Sequence, residues 1–289
     1  MATSPRGHGS ERVAAALGLR VVRSCTGGEF GAVLVEDAPG RCAILKVMPE
    51  VPPWSGGWAD SVGLAERLRV TGYPAPRYLR TGSVAGHLYT LQEVMPGAVP
   101  EWLTAGHMCQ VLALAERHAG MAGASPGVWP SYVGAALAGA HEPRRVAFAR
   151  AGHPDAARLL DEIRALAPRV AGLALPDGDV VHGDFHHQNL LVEGERVSAV
   201  FDWEQATAGD WRYDVAWLAF WCRVDTRQVD PQAADLAEQR AADLLAPAER
   251  AAYAGLVASR VIDLVAHHRA ELLPLAVRWC ESHLAPLWR

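Results

Sequence analysis

The chain has 289 residues, 50% of them hydrophobic, and a formal charge of −5. That supplies a full core for one or two domains, and the mild acidic excess speaks against a nucleic-acid binder, which presents a basic face. The polar start from Met1 to Ser10 does not read as a signal peptide, and no run of eighteen apolar residues occurs, so no membrane span is expected.

Glu11 to Leu19 reads as a short helix. A strand, Arg20 to Cys25, enters a Gly-rich turn, Thr26-Gly27-Gly28-Glu29-Phe30-Gly31, and Ala32 to Val35 returns as the next strand. Glycines in such a turn let backbone N–H groups come close to an anion. After Pro39-Gly40, Arg41 to Val47 is a third strand with Lys46 inside an apolar run, where a charge is costly unless paired. Trp58 to Thr71 is a helix with Val62, Leu64, Ala65 and Leu68 on its apolar side, and Glu66 is its only glutamate. Strands around Tyr78–Thr81 and His87–Leu91 lead to Gln92-Glu93-Val94-Met95. Pro96-Gly97, which breaks strand and helix alike, then sets a domain boundary.

Beyond that boundary the chain turns helical. Trp102 to Met121 carries Leu103, Met108, Val111, Leu112, Ala115 and His118 at helical spacing, a core-facing set with His118 packed inside it. Ser125 to Ala140, rich in Gly, Pro and Ala, reads as a loop or insertion. Asp155 to Leu175 is amphipathic and delivers the chain to a strand at Val180-Val181. Further helices are expected over Asp214–Trp221, Ala233–Leu245, Ala248–His268 and Glu271–His283.

The chemistry sits in His182-Gly183-Asp184-Phe185-His186-His187-Gln188-Asn189 and, later, Asp202-Trp203-Glu204. Asn189 follows Asp184 by five residues and Asp202 follows it by eighteen. Leu190–Val192 and Val197–Phe201, joined by the turn Glu193–Arg196, form a hairpin that returns Asn189 and Asp202 to one mouth. Phosphoryl transfer calls for this set. One carboxylate steers the attacking hydroxyl, while an amide and a second carboxylate hold magnesium on nucleotide phosphates. Turns also favour Asp and Asn, but turn chemistry does not assemble base, amide, hairpin, second aspartate and a following Gly-Asp together.

His-Gly-Asp with Asn five positions after the Asp, then Asp-Trp-Glu, resembles the aminoglycoside phosphotransferase and choline kinase superfamily. Gly209-Asp210-Trp211-Arg212-Tyr213-Asp214-Val215-Ala216 is similar to its Gly-Asp-Pro-x-x-Asp-Leu-Ala stretch, with Trp211 where Pro is usual. The resemblance implies an α+β, two-lobed, protein-kinase-like fold. Residues 1–95 would be a small, mostly antiparallel β lobe with one main helix that binds nucleotide. Residues 96–289 would be a larger, mainly helical lobe for catalysis and substrate. Asp184 is then the catalytic residue, Asn189 and Asp202 hold Mg2+, and His182 and Asp214 support the catalytic loop. The strand Ala43-Ile44-Leu45-Lys46 resembles Val-Ala-Ile-Lys of protein kinases. By that likeness Lys46, with the backbone of Gly27, Gly28 and Gly31, grips the phosphates of ATP or GTP. Glu66 pairs with Lys46, and the backbone of Glu93 and Met95 holds the base.

The implied activity is transfer of a γ-phosphoryl group to a hydroxyl of a small molecule, first of all an aminoglycoside or related antibiotic. Alternatives are a metabolic kinase for choline, an amino alcohol or a sugar, a macrolide or basic peptide antibiotic kinase, and a nucleotide-binding pseudoenzyme. The acidic excess suits a cationic acceptor, with Glu204, Asp210, Asp225 and Asp230 as the carboxylates expected to draw it. The four tryptophans from Trp203 to Trp221 form either a cage for ammonium groups or core. A monomer or homodimer without nucleic-acid or membrane partners is expected. The five scattered cysteines lack any Cys-x-x-Cys, and no histidine pair has zinc spacing, so free thiols in the cytoplasm are expected and zinc is not.

Overall fold

Strands β1 (Arg20–Ser24), β2 (Ala32–Glu36), β3 (Cys42–Pro49), β4 (Tyr78–Val84) and β5 (His87–Glu93) form one antiparallel sheet in the order β1-β2-β3-β5-β4. The structure is a computed structural model and describes residues 7–25, 31–37, 40–49, 58–123, 127–140 and 152–286. Side chains alternate across a strand. Val33, Val35, Ala43, Leu45 and Val47 are therefore buried together against Val13 and Ala14 of α1 (Gly7–Ala16). Lys46, between two of these, faces the other way. The β3–β5 register pairs Lys46 with Thr90 and Ile44 with Gln92, which sets Thr90 and Gln92 on the lysine's face.

This sheet belongs to a compact unit made of Met1–Val99 and Gln188–Gln205. The hairpin Leu190–Glu193/Arg196–Val200 is tied into it by backbone bonds. Ala98 N–H donates to the Val192 carbonyl at 3.1 Å, Val192 N–H returns to Ala98 at 2.8 Å, and Val200 N–H reaches the Pro74 carbonyl at 2.9 Å. Ser198 Oγ donates to the Pro96 carbonyl at 2.7 Å. Gly97 is the residue this closeness requires: its φ is +101°, and a Cβ there would lie 2.5 Å from Ser198 Oγ and 2.7 Å from the Val192 carbonyl oxygen. A simple cut between 95 and 96 misses this return of the chain. Helix α2 (Trp58–Arg69) packs on the turn Trp203–Gln205 in the same unit.

The second unit, Pro100–His187 with Ala206–Arg289, is helical. It holds α3 (Ala105–Glu116), α4 (Val128–Leu137), α5 (Pro154–Arg164), α6 (Ala167–Val170), α7 (Arg212–Val224), α8 (Pro231–Leu244), α9 (Pro247–His268) and α10 (Leu273–Leu284). A short antiparallel pair, Asp179–Val181 with Thr207–Gly209, completes it. Its core draws Val133 and Leu137 from α4, Leu159 and Ile163 from α5, Trp217 from α7, Val261 from α9 and Cys280 from α10. No helix among the described residues is long and apolar enough to cross a membrane.

Three expected elements differ. The stretch expected as a loop contains helix α4, because Trp129, Val133 and Leu137 recur every four residues and are buried. Pro130 falls in its first turn, where a missing N–H costs nothing. The helix expected from 102 is shorter, since Thr104 caps α3 by accepting from His107 N–H. The long helix expected over 155–175 breaks into α5 and α6, with Pro168 unable to continue it.

Candidate active site

In the sheet unit, Lys46 Nζ donates to Asp202 Oδ1 at 2.5 Å and to Glu204 Oε2 at 2.8 Å. Both acids follow the hairpin directly. Trp203, fully buried between them, anchors the turn through Nε1 to the Val200 carbonyl at 2.8 Å and an edge-on contact with Tyr73. Glu204 is 2% exposed, and its other oxygen accepts from Gln92 Nε2 at 2.8 Å and from Thr90 Oγ1 at 3.4 Å. Burial pushes its carboxyl up and the Asp202 charge adds to that, while the Lys46 ammonium pulls it back down. Burial would lower the Lys46 ammonium, but Asp202 and Glu204 hold it above its ordinary range.

Asp202 is one of two non-glycine residues with positive φ among the described residues, at +69°. Aspartate tolerates this left-handed conformation better than most, yet it stores about 1–3 kcal/mol of strain of the kind found at functional positions. Asn189 sits at the same end of the hairpin, its carbonyl accepting from Phe201 N–H at 3.0 Å. The Asn189 amide oxygen and the Asp202 carboxylate, the latter 25% exposed, are hard oxygen donors that fit magnesium.

Glu66 does not reach Lys46. Its carboxylate, 42% exposed, is gripped by Arg69 one turn on, at 2.7 Å from Nε and 2.6 Å from Nη2. The i,i+3 spacing on α2 favours that local pair, and β3's lysine finds its partners on the 202–204 segment instead. Gly31 has φ +71°, and Gly27 and Gly28 lie outside the described residues. Glu93 ends β5, with its side chain accepting from Arg77 N–H at 2.7 Å, and Met95 stands two residues beyond.

In the helical unit, the loop after Val181 hangs on Asp214. Its buried carboxylate accepts from His182 N–H at 2.7 Å and Gly183 N–H at 3.0 Å, and His118 Nδ1 lies 3.4 Å away. Gly183 has φ +83°, a left-handed conformation that glycine adopts without strain where its own N–H and that of His182 meet the one carboxylate. His182 Nδ1 accepts from Asp184 N–H at 3.2 Å, and buried Phe185 packs edge-on against His118 and His182. The Asp184 carboxylate is 24% exposed, 3.4 Å from His186 Nε2. Burial alone would raise its pKa, but the charges of His186, Arg260 and His182 hold it well below the usual carboxylate range.

Arg260 on α9 went unnoticed in the sequence. Its Nη1 donates to the Gly183 carbonyl at 2.8 Å and to Tyr213 OH at 2.7 Å, and its guanidinium lies 4.6 Å from the Trp217 ring centre. The signal was available, since an arginine interrupts the apolar run from Leu256 to Ile262.

The carboxylates expected to attract a cation are mostly engaged inside the protein. Glu204 bonds Lys46. Asp210 is buried, held by Arg212 at 2.7 Å and Tyr253 OH at 2.6 Å. Asp225 lies 3.1 Å from His187 Nε2, and Asp230 caps α8 by accepting from Gln232 N–H at 2.8 Å. Trp203 and Trp217 are core rather than cage, while Trp211 and Trp221 are partly exposed.

Against known proteins, the model of the phosphotransferase enzyme family matches residues 26–256. Hygromycin-B 4-O-kinase of Escherichia coli is 45% identical over 42 residues, a stretch covering 14% of this chain and 12% of that protein. A thermostable mutant of aminoglycoside phosphotransferase APH(4)-Ia, solved with ADP and hygromycin B, matches with a TM-score of 0.70 at 17% identity, over 96% of this chain and 97% of that one. An amicoumacin kinase solved with AMP-PNP, Ca2+ and Ami matches with a TM-score of 0.67 at 13% identity, over 97% of this chain and 94% of that one. At these identities the structural likeness is one of fold.

Proposed function

Because the chain belongs to the phosphotransferase enzyme family, we propose that it moves the γ-phosphoryl group of ATP or GTP to a hydroxyl of an aminoglycoside-type antibiotic. The observation that carries this is the joining of Lys46 to Asp202, 156 residues later, at 2.5 Å. A lysine on a sheet and an aspartate after a hairpin have no structural need to meet in this way.

Lys46 holds phosphate oxygens as a point charge, and the Glu93–Met95 backbone holds the base. Asn189 and Asp202 are the residues that would hold magnesium, which when bound neutralises charge on the phosphates. Asp184, ionised at neutral pH, accepts a hydrogen bond from the acceptor hydroxyl, orients its oxygen in line with the phosphoryl group and takes the proton late. Asp214, His182 and Arg260 keep that carboxylate in place. The aminoglycoside acceptor draws support from the short match to a hygromycin kinase and from the fold shared with antibiotic kinases.

The test is nucleotide consumption with hygromycin B, other aminoglycosides, a macrolide, amino alcohols and sugars, with the phosphate ester identified by mass spectrometry. An aminoglycoside phosphate is expected. Phosphorylation confined to an amino alcohol or a sugar would overturn the acceptor, and the absence of nucleotide consumption with every acceptor would overturn phosphoryl transfer.

A further inference from the structure

The geometry points to Glu204, not the helix glutamate Glu66, as the residue that positions Lys46 for the nucleotide. This rests on the reading of Lys46 as the phosphate-holding lysine.

Two carboxylates touch the ammonium, and they are not equivalent. Asp202 is a quarter exposed and carries the oxygens suited to a metal ion. Glu204 is almost wholly buried, and each of its oxygens has a fixed duty: one faces Lys46 at 2.8 Å, the other takes Gln92 Nε2 at 2.8 Å. Gln92 Nε2 also donates to Thr90 Oγ1 at 3.0 Å, and Thr90 is the direct ladder partner of Lys46. Glu204 is thus a strut that fixes the lysine of β3 to side chains of β5. The strut's own backbone is anchored by the Trp203 indole bond to Val200. Glu66 has no share in this, being paired with Arg69 on the exposed side of α2.

The choice of cation supports the same role. Lys46 is the single lysine among 27 Lys and Arg residues; every other cationic position is arginine. An ammonium carries three donors in a compact tetrahedral head, whereas guanidinium is a planar fork. Two of the three point at Asp202 and Glu204, leaving the third as the one able to meet a phosphate oxygen.

A single lysine also makes the test clean. Protein labelled with 15N-lysine gives one side-chain ammonium signal, which reports Lys46 without nucleotide or metal. That signal, with kcat and the KM values for ATP and acceptor, is measured for the parent and for Glu204→Gln, Glu204→Asp and Glu66→Gln. Glu204→Gln is expected to move the signal and to raise the KM for ATP ~10–100-fold, the range for losing a charge-assisted bond, with acceptor KM unchanged. Glu204→Asp, which keeps the charge but is shorter, is expected to move the signal less, and Glu66→Gln to leave signal and KM within twofold. The proposal is overturned if Glu66→Gln acts as strongly as Glu204→Gln, or if the Glu204 variants leave the Lys46 signal unchanged. Should Glu204→Gln not fold, the aspartate and Glu66 variants still decide. If the parent phosphorylates nothing, the functional reading fails while the ammonium signal still judges the strut.

Discussion

Replacing Asp214 by asparagine exchanges one oxygen for an NH2 group and should disable the catalytic loop. The carboxylate offers one oxygen to His182 N–H at 2.7 Å and the other to Gly183 N–H at 3.0 Å, in a fully buried position. Asparagine keeps one acceptor and turns the other into an NH2 group. Whichever way the amide is flipped, one buried backbone donor then faces a donor. The change loses a charge-assisted bond worth ~1.5–3 kcal/mol and strands buried donors at ~1–3 kcal/mol, a total of ~3–5 kcal/mol. For a unit of this size, each kcal/mol lowers the melting temperature by about 2–4 °C, so a fall of roughly 10 °C is expected. The loop relaxes by moving Gly183, which carries Asp184 with it. A displacement near 1 Å is enough to lower kcat about 10²-fold. Thermal unfolding followed by tryptophan fluorescence reads the first effect, and steady-state kinetics well below the melting point reads the second. A melting temperature within a degree of the parent would refute the assigned bonds. A large melting shift with unchanged kcat would refute Asp214 as the support of Asp184.

Other outcomes follow from single groups. Asp184→Asn is expected to retain ATP affinity in calorimetry while kcat falls about 10²–10⁴-fold, the range for a positioned acid–base group; near-normal turnover removes Asp184 from the chemistry. Asp202→Asn and Asp202→Ala should both abolish turnover, but the alanine variant should be less stable by about 1 kcal/mol, because asparagine tolerates the left-handed backbone and alanine does not; equal melting points would contradict the φ of +69°. Burial pushes His283, stacked edge-on against Phe220, down to about 4. The unfolded chain therefore binds its proton first, so His283 stabilises the fold fully above about pH 6.5 and loses that contribution as pH falls toward 4. His283→Phe should flatten the stability profile across this window, and an unchanged profile would show that His283 is not buried neutral.

The sequence revealed what depends on spacing and concealed what depends on burial. That Asn189 and Asp202 stand at one end of a single hairpin was legible, because the two residues bracket its two strands along the chain. The hairpin was legible from its two apolar runs and polar turn. Glu66 was misread because a helix glutamate near Arg69 looks the same in sequence whether it faces a sheet lysine or its own helix. Glu204 was misread as a surface acid because nothing local shows that Trp203 buries the turn, or that Gln92 and Thr90 wait across the sheet. Helix α4 was hidden by composition, since Gly, Pro and Ala outweighed the four-residue recurrence of Trp129, Val133 and Leu137. Arg260 could be noticed as a charge in an apolar helix, but its partner, the Gly183 carbonyl, lies 77 residues away.

Four acidic residues around the motif differ in role through their surroundings alone. Asp214 is wholly buried with both oxygens on backbone donors, so no ligand can reach it and its effect passes through the loop. Asp184 is partly exposed, with His186 Nε2 at 3.4 Å and the Arg260 guanidinium nearby, and its carboxyl is held well below the usual range, so it is ionised and able to accept from a hydroxyl. Asp202 is equally exposed but set against one lysine on a left-handed backbone, an anion whose partner can be shared with an incoming metal ion. Glu204 is buried beside that same lysine, and with one oxygen fixed to Gln92 it is a mount rather than a reagent. Chemical type places all four among candidate catalysts. Exposure separates Asp184 and Asp202, which solvent reaches, from Asp214 and Glu204, which are buried, and the identity of the nearest donors then distinguishes the brace of the loop from the strut of the lysine.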